Sequence, residues 1–234
     1  MSASNSDSAE INKFTQMAEE WWDIEGPCKP LHIINPLRLE FITNQLTLQG
    51  QKIIDIGCGG GILTEALAKQ GAQVAGIDKS NALVQIAKKH AEENHLRIEY
   101  YHTDAESFAE NHNQSFDIVC CMELLEHVPD PCSLIRACSD LAKPEAKIFF
   151  STINRNPRSY LLAILGAEYF FKLLPKGTHD YKKFIRPAEL VKSARNANLI
   201  LQKFQGIHYN PLTRNYALGK NIQVNYLAAF RKRV

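Results

Sequence analysis

Between Lys52 and Ile153 the chain alternates short apolar runs with helical spacings, and this alternation leaves few folds open. Lys52-Ile53-Ile54-Asp55-Ile56 is β-branched and ended by glycines; Ile62, Leu63, Ala66 and Leu67 then keep helical spacing up to Gly71, a C-cap signal. The pattern predicts a second strand over Val74 to Asp78, a helix over Ala82 to Glu93 and a third strand over Ile98 to Tyr101. Phe116 to Met122 is the fourth, an unbroken apolar run after Asp117 that suits the buried middle of a parallel sheet. Ser133 to Ala142 reads as helix, Pro144 ends it, and Ile148 to Ile153 is strand five. Beyond an excursion come a helix over Ala188 to Asn196 and strands over Ile200 to Phe204 and Val224 to Phe230. The expectation is an α/β fold: seven strands, mostly parallel, with helices on both faces. Ligands in such sheets bind outside the carboxyl ends of the strands, where the candidate residues are sought.

Composition narrows the function classes. The 234 residues are 45% hydrophobic and 22% charged, ordinary for a globular protein, and a net charge of +2 is too balanced for whole-surface attraction to nucleic acid. Mean hydropathy of −0.25 argues against a polytopic membrane protein. None of the six cysteines shows C-x-x-C spacing, so buried, reduced thiols are expected. Residues 1–12 are Ser-rich at the start and lack the features of a targeting peptide; a disordered start of an intracellular, cytoplasmic protein is expected there, with one domain over 13–234.

Two additions flank the alternating core. Phe14, Met17, Ala18, Trp21 and Trp22 share one helical face, and a helix over Leu37 to Thr47 follows a stretch, Glu25 to Pro36, in which glycine and prolines should prevent regular structure. Together residues 13–49 read as a helical cap. The excursion over 154–186 is centred on Tyr160 to Leu174, fifteen residues charged only at Glu168 and Lys172, too short to span a bilayer as a helix. Arg155, Arg158, Lys172, Lys176, Lys182, Lys183 and Arg186 outnumber Glu168 and Asp180 across it. That composition suits an amphipathic segment on an anionic membrane surface, a lid over the active site, or both.

Asp55-Ile-Gly57-Cys-Gly59-Gly60-Gly61 follows strand one and opens a helix. The nicotinamide fingerprint would need glycine where Ile62 stands, whereas D-x-G-x-G-x-G is satisfied by Asp55, Gly57, Gly59 and Gly61. Such a loop lets backbone approach the amino-acid half of S-adenosylmethionine, with the acid helping to place its ammonium. Asp78, 21 residues after Gly57 at the end of strand two, is spaced to accept hydrogen bonds from ribose hydroxyls. Asp104 is the candidate for adenine, or a plain turn Asp; Met122 either packs on the nucleoside or belongs to the core.

Glu123, Glu126 and His127 follow strand four at i, i+3 and i+4, so one helical turn would present all three at the cofactor edge. They could hold a hard cation such as Mg²⁺, or His127 alone could act as general base; the plainer alternative is a helix-start cluster with a structural histidine.

With these motifs stand Trp21-Trp22-Asp23, Lys29-Pro30-Leu31-His32, Ile34-Asn35-Pro36-Leu37-Arg38-Leu39, Met122-Glu-Leu-Leu-Glu-His-Val-Pro-Asp130 and Phe150-Ser-Thr-Ile-Asn-Arg155. Later come Gly166-Ala-Glu-Tyr169, Pro175-Lys-Gly-Thr-His-Asp180, Phe184-Ile-Arg-Pro187 and His208-Tyr-Asn-Pro-Leu-Thr213. In this set the chain resembles the ubiquinone biosynthesis O-methyltransferases, class I enzymes with a Rossmann-like fold, from Phe14 through Phe230. The resemblance implies S-adenosylmethionine held by Arg38, Gly57, Asp78 and Met122, and Glu123, Glu126 and His127 as the metal trio of the eukaryotic members. It implies methylation of phenolic oxygens in a polyprenyl catechol and in 3-demethylubiquinol, with His127, His179 or His208 as alternative proton acceptors. A peripheral position at the inner membrane face, through 154–186, and a ubiquinone-biosynthesis protein complex are the partners it implies. Rival readings are a methyltransferase for another small phenol or lipid, and a noncatalytic docking subunit. One departure is visible: the family's Lys-Pro-Gly-Gly before strand five is Lys143-Pro-Glu145-Ala146 here, for which a different turn is expected.

Overall fold

The computed structural model describes residues 5–159, 181–210 and 215–234. Its strands are β1 (Lys52–Ile56), β2 (Gln73–Asp78), β3 (Glu99–His102), β4 (Phe116–Met122), β5 (Ala142–Ile153), β6 (Leu199–Asn210), β7 (Asn215–Gly219) and β8 (Asn225–Lys232). They form one sheet in the order β3-β2-β1-β4-β5-β8-β6-β7. From β3 to β5 the pairing is parallel; β8, β6 and β7 extend it antiparallel. The helices are α1 (Ser8–Gln16), α2 (Lys29–Thr43), α3 (Ile62–Ala68), α4 (Asn81–Glu93), α5 (Ala105–Asn111), α6 (Pro131–Leu141), the single turn α7 (Pro157–Ser159) and α8 (Pro187–Asn196).

Alternate residues of the central strands feed two cores. Ile54, Val119, Cys121, Ile148 and Phe150 pack with α5, α6 and α8, while Ile53, Ile118, Cys120 and Phe149 pack on the other face with Phe41 and Ile42 of α2 and Leu63 and Leu67 of α3. A strand buried on both faces needs apolar side chains at every position, which is why β4 reads as an unbroken run. The sheet is thus the expected α/β arrangement with an eighth strand instead of seven. The addition, β7, pairs with the outer half of β6 from Gly206↔Gly219 to Asn210↔Asn215, and its half-exposed, mixed sequence carries little alternation.

Four other expectations change. The disordered start is replaced from Asp7 onward by α1, whose cap is the Asp7 carboxylate accepting from the amides of Ala9 and Glu10. The face of Phe14, Met17, Ala18, Trp21 and Trp22 is not one helix: α1 stops at Gln16 and a 3₁₀ turn spans Ala18–Glu20, which turns Trp21 and Trp22 onto different neighbours. Regular structure returns already at Lys29, because Pro30 lies in the first turn of α2, where its missing N–H is no loss. Pro36 sits inside that helix, which is held by buried Asn35, Arg38, Phe41 and Ile42. Finally, Pro144 falls within β5, and Glu145 takes φ +67 beside a register shift, so the position of a family glycine keeps a glycine-like backbone.

All six cysteines are free and five are buried; Cys132 is exposed. The Tyr160–Leu174 segment, Lys176 and His179 lie outside the described residues. Of its basic flanks, Arg155 pairs with Glu189, and Lys183 pairs with Asp7 at 3.1 Å and Glu10 at 3.7 Å. Among the described residues no helix is long and apolar enough to cross a membrane.

Candidate active site

Strand order reverses at β1, whose neighbours β2 and β4 send their connections to opposite faces, and a cleft of about 1590 Å³ opens at the carboxyl ends there. Arg38, Asp55, Gly57, Gly59, Asp78, Asp104, Met122, Glu123, Glu126 and His127 all line it; Gly61 lies just behind, as the N-cap of α3.

Gly57, Gly59 and Gly61 take φ of +70, +55 and +92, the left-handed region. At Gly59 the requirement is doubled, since a Cβ would also fall 2.4 Å from Cζ2 of Trp21. Asp78 ties the end of β2 to this loop: its Oδ2 accepts from the Gly59 amide at 2.9 Å and its Oδ1 from Ser80 at 2.8 Å. Burial raises its pKa while those amides oppose the rise. Each oxygen keeps a lone pair for a further donor. Asp55 is buried and accepts from the Thr64 hydroxyl at 2.7 Å; burial pushes its carboxyl up to about 6 against the pull of Thr64 and Arg38. Asp104 caps α5 through Ser107 and pairs with Lys79 at 2.9 Å; burial works against it, but these hydrogen bonds hold its carboxyl below the ordinary range. Met122 is buried at the end of β4 and packs into the core shared with α2 and α3.

The acid–histidine cluster is not the single helical turn that its spacing predicts. Glu123 takes φ +51, its amide donating to the backbone and the hydroxyl of Ser151, and only Leu125–His127 forms a 3₁₀ turn. The three side chains therefore diverge. Glu126 is buried and accepts from the Thr152 hydroxyl at 2.8 Å; burial, then the charge of Glu123, raises its pKa. Glu123 lies 3.6 Å from Arg38 Nη2. His127 Nδ1 meets Glu10 Oε2 of α1 at 2.9 Å, with Phe14 edge-on to the ring at 5.1 Å. Among the described residues no three His, Cys, Asp or Glu side chains gather as ligands of an ion. As placed, Glu123, Glu126 and His127 do not fit Mg²⁺.

Glu10 is the residue the sequence reading passed over. Its signal was Asp7-Ser-Ala-Glu10 ahead of Ile11 and Phe14, an N-cap followed by an acid three residues on. The hydrogen bond from His127, then Lys13, holds its carboxyl down to about 2, so it is ionised at neutral pH and can only accept. Nδ1 of His127 therefore carries the hydrogen, and Nε2 is the basic nitrogen. For His127, burial lowers the pKa, but the Glu10 hydrogen bond and the charges of Glu126, Glu10 and Glu123 outweigh it and leave it raised. His208, also in the cleft, has Nε2 2.8 Å from the Asn221 carbonyl and so donates there.

Similarity agrees with this geometry. The profile of the methyltransferase domain family matches residues 12–205. Among solved structures, magnesium protoporphyrin IX methyltransferase from Synechocystis, with bound S-adenosylhomocysteine, superposes with a TM-score of 0.71 at 17% identity over 97% of this chain and 100% of its own. A methyltransferase from Aquifex aeolicus gives 0.62 at 14% identity over 96% and 98%. The fold is therefore that of a class I methyltransferase. The ubiquinone biosynthesis O-methyltransferase of Saccharophagus degradans is 54% identical over 97% of both chains, and that of Coxiella burnetii 53% over 98% of both. On likeness of that depth and extent, the chain belongs to the ubiquinone biosynthesis O-methyltransferase family.

Proposed function

We propose that residues 13–234 form one catalytic domain that transfers a methyl group from S-adenosylmethionine to phenolic oxygens of ubiquinone precursors, a polyprenyl catechol and 3-demethylubiquinol. The observation that carries the cofactor assignment is the Asp78–Gly59 hydrogen bond: it joins a carboxylate able to take ribose hydroxyls to a glycine loop able to lie against an amino-acid moiety. The acceptor follows from the near full-length likeness to the ubiquinone biosynthesis enzymes.

When bound, the cofactor supplies a methyl carbon on a sulfonium, a good leaving group. What remains for the protein is alignment and removal of the phenolic proton. A phenol with a pKa of about 10 is a poor nucleophile at pH 7. His127 Nε2 takes that proton, and the imidazolium so formed is stabilised by Glu10 on Nδ1, the arrangement in which a partly buried carboxylate orients a histidine base. Raising the histidine narrows its gap to the phenol, each unit being about 1.4 kcal/mol. The phenolate so formed is the nucleophile that a bound cofactor would methylate. Asp104 places the adenine end and Met122 the flat face of the nucleoside.

The protein acts as a peripheral enzyme on the cytoplasmic face of the membrane, where 154–186 collects a prenylated substrate from an anionic surface, within reach of other ubiquinone-biosynthesis proteins. Support comes from the apolar run of Tyr160 to Leu174 and the excess of Lys and Arg around it. The test is an assay of purified protein with labelled cofactor and three acceptors: prenylated catechol, reduced 3-demethylubiquinone and tail-less catechol. Transfer to the first two in preference to the third is expected. Equal rates on all three redirect the reading to a general phenol methyltransferase, and no transfer overturns it. Flotation with anionic liposomes should be lost in Phe170→Asp/Phe171→Asp; unchanged flotation removes the membrane role of the segment.

A further inference from the structure

The chain has two tryptophans, adjacent in sequence, and the structure treats them differently. Trp22 is satisfied: Nε1 donates to the Gly60 carbonyl at 2.9 Å, and its ring stacks on His90 with centroids 3.4 Å apart and planes 8° from parallel. Trp21 is 5% exposed and lies across the glycine loop, yet among the described residues its Nε1 meets no acceptor. A Cβ on Gly59 or Gly60 would stand 2.4 or 2.3 Å from its indole, so both positions must be glycine for the ring to lie there. That accounts for Gly60, which the D-x-G-x-G-x-G pattern leaves free. A buried indole N–H without a partner is a net cost that phenylalanine would avoid in nearly the same space. Such an orphan in a ligand cleft calls for an acceptor brought by the ligand.

The surroundings say which acceptor. Arg38, also 5% exposed, lines the same cleft with Nε and Nη2 shielded and, among the described residues, without a hydrogen-bond acceptor. Its carboxylate neighbour, Glu123, is at 3.6 Å, beyond a hydrogen bond, and among the described residues of the cleft three shielded donors, Trp21 Nε1 and Arg38 Nε and Nη2, face two shielded acceptors, Glu123 Oε1 and Asn225 Oδ1. Surplus donors with a guanidinium among them favour an anion that accepts at two oxygens. On the far side of Gly59 its amide points to Asp78, the carboxylate assigned to ribose. The indole covers Gly59 and Gly60 of that loop, so a cofactor whose ribose meets Asp78 would bring its amino-acid half within reach of the indole N–H.

We propose that the Trp21 Nε1–H donates to the carboxylate of the cofactor's amino-acid half, with Arg38 supplying the compensating positive charge. Trp21 is thus a cofactor-binding residue that selects for the carboxylate, and it acts through its N–H besides its bulk. The proposal rests on the cofactor reading above, and the test separates the two.

Calorimetry is run on the wild type and on Trp21→Phe with two ligands: S-adenosylhomocysteine, and its decarboxylated analogue, which keeps the amine and the adenosine. Wild type should bind S-adenosylhomocysteine. In Trp21→Phe that affinity should fall about tenfold, while affinity for the decarboxylated analogue stays within about twofold. Equal weakening for both ligands would mean that the indole only packs, and overturns the proposal, as does no weakening for either. A wild type that binds neither ligand overturns the cofactor reading and the proposal together. A second measurement needs no change at Trp21: in Trp22→Phe, Trp21 is the sole tryptophan, and its emission should shift on addition of S-adenosylhomocysteine. Emission unaltered at saturating ligand counts against the contact.

Discussion

At the end of β1 the cleft is made of backbone: three left-handed glycines, an amide held by Asp78, and an indole lying where no side chain fits. At the end of β4, one strand over in the same sheet, it is made of side chains whose partners come from far away in sequence: Glu10 for His127, Thr152 for Glu126, Arg38 for Glu123. The two ends differ in what encodes them. A backbone site is written locally, because a left-handed residue demands glycine wherever the rest of the chain goes. A side-chain site depends on which distant groups the fold brings into contact, and residue spacing gives no direct measure of that.

This difference explains what could be read in advance. The parallel half of the sheet, its order of strand and helix, and the glycine loop with Asp78 follow from apolar periodicity and turn chemistry, both local properties. Phe116–Met122 lies where its apolar run placed it. The Glu-x-x-Glu-His spacing, by contrast, predicts three side chains on one helical face, but the left-handed Glu123 breaks the turn and sends them to three different partners. Similarly, the helical face from Phe14 to Trp22 marks residues that do pack into one cluster, Ala18 and Trp21 buried and the others partly so, but with the wrong geometry, since hydrophobic spacing does not report whether the helix runs unbroken. The hairpin partner β7 has no alternating pattern of its own to mark it, and α5 is hidden because Asp104 reads as an adenine contact or a turn acid and not as the cap it also is. The strap from Asn5 to Gln16 is the clearest case. Polar composition suggested disorder, yet Asn5 binds Asp130 and Glu106, Asp7 binds Lys183, Glu10 binds His127 and Thr15 binds Ser80, so polar contacts order what apolar burial alone would not.

Substitutions at each end should fail in different ways. The largest effect is expected at the β4 end, where His127→Ala should lower kcat roughly 10²- to 10³-fold, the range of a lost general base, and leave S-adenosylhomocysteine affinity within about twofold. A kcat near that of the wild type would return His127 to a structural role. At the β1 end the pattern reverses. Gly59→Ala forces an L-residue to φ +55 and drives Trp21 off the loop, so cofactor affinity should fall roughly 10- to 100-fold by calorimetry and the fold should lose about 1–2 kcal/mol in urea melts. Normal affinity in Gly59→Ala would mean that the loop tolerates a side chain and is not the cofactor cradle.

A smaller effect tests whether the β4 end depends on its remote partner. Glu10→Gln keeps an acceptor for Nδ1 but removes the charge that stabilises the imidazolium. We expect kcat to fall about tenfold, with KM for the phenol and affinity for S-adenosylhomocysteine unchanged, because the charge matters chiefly when the histidine is protonated. A rise in KM alone would show that Glu10 only fastens the strap.

The smallest effect is on stability, and its pH dependence carries the information. Glu126 is buried at the side-chain end of the cleft, and burial first, then Glu123, lifts its carboxyl above an ordinary value of 4.5. Between that ordinary value and the raised one, the folded protein holds a proton that the unfolded chain has released. Unfolding in that interval releases the proton, so stability falls as pH rises through it and stays reduced above it. Glu126→Gln can still accept from Thr152 and cannot ionise, so it should escape the loss. Thermal melts of variant and wild type should nearly coincide at pH 4 and diverge toward pH 8, with the variant higher by roughly 2–4 °C for each kcal/mol recovered in a chain of this size. A gap that is the same at both pH values would assign the change to packing alone. A variant less stable at pH 8 would show that the Glu126 charge is held by favourable contacts, and the β4 end would then have to be redrawn around an ionised Glu126.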